Sequence, residues 1–183
     1  MLLACGCATS AQSTTPGATA ASAAAVQGSS GPAATAVIEG RSGSALTGSA
    51  RFAAASGGGV AAHVEVQGAA PGLHGIHIHE KADCSDPKAA SAGGHYNPNA
   101  GPHHGGPATP VRHGGDLGNL EADASGKGAL DVVVQGVSLD GASDGVVGRS
   151  IVVHEKADDL QSDPAGNSGA RIGCGAILAP PTY

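Results

Sequence analysis

The apolar residues of this chain fall into eight short segments, residues 36–38, 46–53, 60–66, 73–79, 117–122, 129–134, 150–153 and 171–177, separated by glycine-rich turns such as Ser56-Gly57-Gly58-Gly59. Segments this short, bounded by turn formers, read as strands, and none holds a helical period. About eight strands predict an all-β, antiparallel sandwich or barrel. The composition supports this: 31 glycines and 11 prolines accompany one Phe and two Tyr, which leaves a core of Ala, Val, Leu and Ile. Such a mixture suits strands and turns over long helices. At 183 residues the chain fits one domain.

The ends stand apart from this pattern. Residues 8–34 are Ala, Ser, Thr, Gly, Gln, Pro and Val with no charge, too little apolar surface to offset chain entropy, so they are expected to be a flexible linker. Before them, Met1-Leu2-Leu3-Ala4-Cys5-Gly6 is similar to a lipobox, in which Cys5 would be lipidated after signal cleavage. Only four residues precede Cys5, fewer than the basic and apolar regions of an export signal need, so part of the signal is expected to be missing. Acylation of Cys5 would make the linker a membrane tether; without it the stretch is a leader. No segment is long enough to span a membrane as an apolar helix.

The formal net charge of −6, without clustered Lys or Arg, excludes nucleic acid as a partner. An anionic small molecule stays open, because a cleft can focus positive potential locally. Cys84 and Cys174 lie far apart within the patterned region. They suggest a disulfide and an oxidising compartment, with two unrelated buried thiols as the alternative.

Two long irregular stretches, 80–116 and 155–170, interrupt the strands, and structureless loops of this length are uncommon unless functional. Lacking a hydrophobic face, they need another source of order, such as a disulfide and bound metal. His77 and His79 alternate with Ile76 and Ile78, so on a strand both imidazoles project from one face. His95, His104, His113 and Asp116 follow, nearly all beside glycines that let a loop aim several ligands at one point. Three histidines and a carboxylate suit tetrahedral zinc, and His154, at a strand end, offers a further nitrogen. His74 is offset from His77 by an odd number and is expected in the framework, His63 on the outer surface. His103 adjoins His104 and competes with it as a ligand.

The motifs Gly72-Leu73-His74-Gly75-Ile76-His77-Ile78-His79-Glu80, Gly94-His95-Tyr96-Asn97-Pro98, His104-Gly105-Gly106, His113-Gly114-Gly115-Asp116-Leu117-Gly118-Asn119, Gly148-Arg149-Ser150-Ile151-Val152-Val153-His154-Glu155-Lys156-Ala157-Asp158-Asp159 and Gly169-Ala170-Arg171-Ile172-Gly173-Cys174-Gly175 together resemble the copper/zinc superoxide dismutase family, in that family's order. The resemblance runs from near Thr35 to Leu178 and divides the chain into a leader and linker (1–34), a dismutase domain (35–179) and a short tail (180–183). It implies an eight-stranded Greek-key β-sandwich or barrel whose two long loops carry the metal site. It also implies one copper per subunit on His77, His79, His95 and His154, and one zinc per subunit on His95, His104, His113 and Asp116, with His95 as the bridge. The family motif places the zinc ligand directly before Gly-Gly, which selects His104 over His103. Asp158 matches the carboxylate that links the two sides, Arg171 the arginine that guides the anion, and Cys84 with Cys174 the intrachain disulfide.

The activity so implied is disproportionation of superoxide to O2 and hydrogen peroxide, with Arg171 and His95 as catalytic residues. An exported antioxidant enzyme is expected, in the periplasm or cell envelope of a bacterium, lipid-anchored if Cys5 is acylated. A homodimer is preferred over a monomer. The rival reading is a non-catalytic periplasmic protein that buffers or delivers copper and zinc. The stretch before Arg171 is compact and thin in charge, which leaves the source of steering open beyond that residue.

Overall fold

The computed structural model describes residues 33–140 and 143–180. Cys5, Cys7 and nearly all of the expected linker lie outside them. Eight strands follow in order: β1 (Ala33–Gly40), β2 (Thr47–Ala54), β3 (Val60–Gln67), β4 (Gly72–His79), β5 (Asp116–Ala122), β6 (Lys127–Val134), β7 (Ser150–His154) and β8 (Arg171–Ala176). Each expected strand is present, and β1 starts two residues earlier than the expected domain boundary at 35. Its inward positions Ala34, Ala36 and Ile38 explain why, since all three are buried and extend the alternation backwards. Among the described residues the one named helical element is a single 3₁₀ turn, Ala90–Ala92, and no helix is long and apolar enough to cross a membrane.

The strands close into an antiparallel barrel in the order β1-β2-β3-β6-β5-β4-β7-β8. The jump from β3 across to β4, with β5 and β6 filling the gap, is a Greek-key connection. Two seams are short: β5 meets β6 through Glu121↔Ala129 and Ala122↔Gly128, and β1 meets β8 through Glu39↔Cys174 and Gly40↔Gly173. Sandwich and barrel therefore describe the same object, two sheets joined by narrow hinges. The interior is filled by Ile38, Leu46, Phe52, Ile76, Ile78, Leu117, Leu120, Ile151 and Ile177, all essentially inaccessible to solvent.

Because side chains alternate, Ile76 and Ile78 fill the barrel while His77 and His79 stand on its outer wall. The two long loops fold over that wall. A small second cluster, Val152 and Cys174 of the wall with Ala89, Ala92 and Cys84 of the first loop, packs beneath them. Cys84 and Cys174 form a disulfide across 90 residues, tying the first loop to β8. Two bulges interrupt the ladders, at Ile76/His77 against β5 and at Val153/His154 against β8. Both fall at histidines of the site, where a bulge re-aims a side chain.

Candidate metal centre

β4 supplies His77 and His79, the end of β7 supplies His154, and the start of β5 supplies Asp116. His95, His104 and His113 come from the first loop, which is pinned to β4 by backbone bonds. Tyr96 N–H donates to Ile78 O at 2.8 Å, Ile78 N–H to Gly115 O at 2.9 Å and Glu80 N–H to Gly94 O at 3.0 Å, with a bridge between His79 and His95. The loop thus extends the sheet just where its histidines must face the wall. Gly115 is required here, since a Cβ would overlap the carbonyl of Ile78.

Four imidazoles, His77, His79, His95 and His154, bring one nitrogen each within 4.8 Å of one another. A second group under the same limit is His77, His95, His104 and Asp116. His95 belongs to both, at the junction. His77 also enters the second group, which the family pattern did not suggest, because its ring lies 3.9 Å from that of His95 and 5.5 Å from that of His104, centroid to centroid. His113 sits just outside that group, its Nδ1 3.5 Å from Asp116 Oδ1.

Four of the rings are oriented by an outer partner. His79 Nδ1 donates to Gly93 O at 3.0 Å and His154 Nδ1 to Gly169 O at 3.3 Å, which turns both Nε2 atoms inward. His77 and His104 donate through Nε2 to the two oxygens of Asp158, each at 2.8 Å, and so turn Nδ1 inward. Asp158 is itself clamped: its N–H donates to Asn119 Oδ1 at 2.7 Å, and Asn119 Nδ2 returns a bond to Asp158 O at 2.9 Å. Asp116 Oδ2 accepts the N–H groups of Gly105 at 3.0 Å and His113 at 3.1 Å, leaving Oδ1 facing Nδ1 of His95 at 2.8 Å and of His104 at 3.0 Å.

The inward nitrogens His77 Nδ1, His79 Nε2, His95 Nε2, His104 Nδ1, His113 Nδ1 and His154 Nε2 are buried without hydrogen-bond partners among the described residues. The one other such atom is Ser150 Oγ. Buried polar atoms are almost always paired, so six orphaned imidazole nitrogens, five in the two adjoining groups and His113 beside them, make a lining able to hold metal ions. Imidazole suits copper and zinc alike, and the carboxylate on the Asp116 side suits zinc.

The electrostatics divide the site. Burial pushes His77 down to about 4 against the pull of Asp158. Burial likewise takes His79 to about 2 and His154 to about 3, with neighbouring imidazoles and Arg171 adding to the effect, and it lowers His95. His104 goes the other way: burial lowers it, but the carboxylates of Asp116 and Asp158, one beside each of its ring nitrogens, outweigh burial and raise it to about 9. Both carboxyls are held far below the usual range, because the bonds from His104 and its neighbours overcome their own burial.

The remaining histidines lie off the site. His103 is turned outward with its side chain 71% exposed and pairs with Asp163 at 2.7 Å, whereas His104 is buried. His74 is a buried framework residue whose ring nitrogens contact the carbonyls of His154 and Ala70. His63 stands on the outer face beside Asp131. Arg171, at the start of β8, acts on His79 and His154 by charge and donates Nη1 to Ala89 O at 2.7 Å. Ser42, Ala89 and Asn119 support the site without having been singled out from sequence. Only Asn119 had a signal there, as the last residue of the motif that begins at His113.

Comparison with known proteins agrees with this geometry. A family model described as copper/zinc superoxide dismutase matches residues 46–177. A copper/zinc superoxide dismutase of Deinococcus radiodurans is 41% identical over 144 residues, 73% of this chain and 78% of that protein. Extracellular copper/zinc superoxide dismutases of Caenorhabditis elegans and Drosophila melanogaster are 48% and 45% identical over 118 and 127 residues, or 61% and 66% of this chain. The aligned part spans about half (52%) of the Caenorhabditis protein and 68% of the Drosophila one.

Proposed function

We propose, from the premise that this chain belongs to the copper/zinc superoxide dismutase family, that it disproportionates superoxide, two superoxide anions and two protons yielding O2 and hydrogen peroxide. The observation that carries the reading is the set of six orphaned inward imidazole nitrogens, five of them in two groups that share His77 and His95 and the sixth, His113 Nδ1, beside Asp116. His77, His79, His95 and His154 would hold copper, presenting the inward nitrogens Nδ1 of His77 and Nε2 of the other three. His95, His104, His113 and Asp116 would hold zinc, with His95 common to both sets. When bound, copper supplies a one-electron couple and zinc a fixed charge that stays out of the redox chemistry.

The chain's own groups do the rest. His95 faces both groups, so its Nε2 takes up a proton in one half of the cycle and delivers it toward peroxide in the other, while water brings the second proton. Asp158 keeps the Nε2 protons of His77 and His104 on its own side, so both rings present Nδ1 throughout. The net charge of −6 repels superoxide at long range, and Arg171, half-buried beside His79 and His154, attracts it locally.

The Cys84–Cys174 disulfide supports an exported protein, and two of the relatives are extracellular by name. Within that class we favour the periplasm or cell envelope, with Cys5 acylated as anchor, a homodimer, and protection of the envelope from oxidants.

The test is direct measurement of superoxide decay by the chain loaded with copper and zinc, beside its His154→Ala variant. Sustained decay that collapses in the variant is expected. Consumption that stops after about one turnover overturns the reading and leaves copper and zinc buffering in its place.

A further inference from the structure

Arg171 is held from several directions. Its Nη1 donates to the carbonyl of Ala89, and its own carbonyl accepts from Ser42 Oγ at 2.9 Å. Ser42 N–H in turn donates to Pro87 O at 2.7 Å, so the β1–β2 turn grips both Arg171 and the loop segment that faces it. The disulfide anchors the same two pieces, through Cys84 just before that segment and Cys174 just after Arg171.

What shapes the segment is Asp86. Its Oδ1 accepts the N–H groups of Lys88 at 2.8 Å and Ala90 at 3.0 Å, its carbonyl accepts from Ala89 N–H at 2.8 Å, and its own N–H donates to Ser91 Oγ at 3.2 Å. These bonds wrap one turn around Asp86 and hold Ala89 fully buried at a φ of 54°, a left-handed conformation that alanine adopts only when its surroundings impose it. That conformation aims the Ala89 carbonyl at the guanidinium.

Asp86 also brings a negative charge to the cation that must attract an anion. Among the charged groups acting on Arg171, Asp86 is the one that supports its positive charge, while burial opposes it. Asp86 feels the guanidinium in return, after the amides of Ala90 and Lys88 and together with the Lys88 ammonium.

We infer that Asp86 is a positioning residue for anion capture, fixing Arg171 through the Ala89 carbonyl while its charge damps the attraction Arg171 exerts. The inference rests on the reading that Arg171 draws an anion to the copper-side histidines. Asp86→Asn separates the two effects, because the amide oxygen still accepts from Lys88 and Ala90 while the charge is gone. Asp86→Ala removes both.

The experiment uses the full chain loaded with copper and zinc, titrated with azide, a small monoanion that ligates copper, and followed by the optical change on binding. Superoxide decay is measured in parallel. Asp86→Asn should bind azide about two- to threefold more tightly at low ionic strength, the size of one unit charge acting across several ångströms of solvent, and the gain should vanish in high salt. Asp86→Ala should bind more weakly than Asp86→Asn. Equal affinity and equal salt dependence in Asp86→Asn and the parent overturn the inference, even if the parent dismutates superoxide. A parent that does not turn over, with azide binding still enhanced in Asp86→Asn and weaker in Asp86→Ala than in Asp86→Asn, overturns the enzymatic reading and upholds both the charge effect and the positioning role.

Discussion

His77, a member of both groups of the site, and His104, a member of one, donate to opposite oxygens of one carboxylate, Asp158, each at 2.8 Å. The carboxylate is fully buried, and its backbone is locked to Asn119. It sets the orientation of both rings, yet the two rings titrate oppositely. His77 is deeply buried and has Asp158 in contact with Asp116 acting only through charge, whereas His104 has both carboxylates in contact.

Asp158→Asn should therefore affect the two halves unequally. An amide keeps one accepting oxygen and points N–H groups at the other imidazole, so one ring loses its guide. His104 sits on a loop and His77 on a strand, so the loss should fall on the zinc side, with zinc affinity dropping about ten- to a hundredfold and copper retained. Competition with a chelator, read as content of each metal, checks this. Equal loss of both metals would contradict it.

The pH at which each metal leaves should differ as well. His77, His79 and His154 are held at about 4, 2 and 3, chiefly by burial, so above roughly pH 5 they carry no proton for copper to displace. His104, against its burial, is raised to about 9 by Asp116 and Asp158, so zinc must displace its proton at neutral pH. Zinc binding should weaken about a hundredfold from roughly pH 8 to pH 6 while copper binding holds. The same shifts act on the metal-free fold. Raised His104 contributes stability that is complete below 6.5 and lost as pH rises through about 9. Depressed His77 contributes stability present above 6.5 and lost as pH falls through about 4. Chelator titrations at several pH values decide the matter, and identical pH slopes for the two metals would count against it.

The disulfide should matter to stability and to the site together. On the chain-entropy model a 90-residue closure is worth about 4–5 kcal/mol. Cys174→Ser should lower the denaturation midpoint accordingly. Because Cys84 anchors the segment that presents the Ala89 carbonyl, the same variant should also loosen Arg171 and weaken azide binding under conditions where the protein stays folded. A stability loss with unchanged azide affinity would show that the loop holds its shape without the bond.

Much of this arrangement was legible in the chain. The strands were readable because one face of each is buried, and alternation such as Ala34, Ala36 and Ile38 in β1 records that face directly. The paired imidazoles of His77 and His79 followed from the same period of two. The support of the site was harder to read. Arg171 is held by a backbone carbonyl, and any residue at position 89 carries one, so side-chain identity gives no hint of it. The Asn119–Asp158 clamp joins residues 39 apart through loop closure, which no local pattern encodes. The approach of His77 to the zinc-side residues depends on the bulge after Ile76 and on ring tilt, both products of packing.

Gly166 gives a last prediction, because it meets the site at its most crowded point. Its φ is +59°, and a Cβ there would overlap the Asp158 carboxylate and come within 2.8 Å of His104 Nε2. Gly166 O also accepts the N–H of Asp159 at 2.9 Å, so the backbone cannot retreat without breaking a bond next to Asp158. Gly166→Ala therefore combines a left-handed conformation, costing on the order of 1 kcal/mol for alanine, with a steric push on the one carboxylate that serves both halves. His104 lies on the first loop and can yield, whereas His77 is fixed in the β4 ladder. Zinc should be lost preferentially, with copper content and strand structure near those of the parent. Metal analysis after dialysis against chelator, with circular dichroism to report the strands, measures it. Full zinc retention in Gly166→Ala would mean that the second loop can shift around Asp158 without disturbing His104.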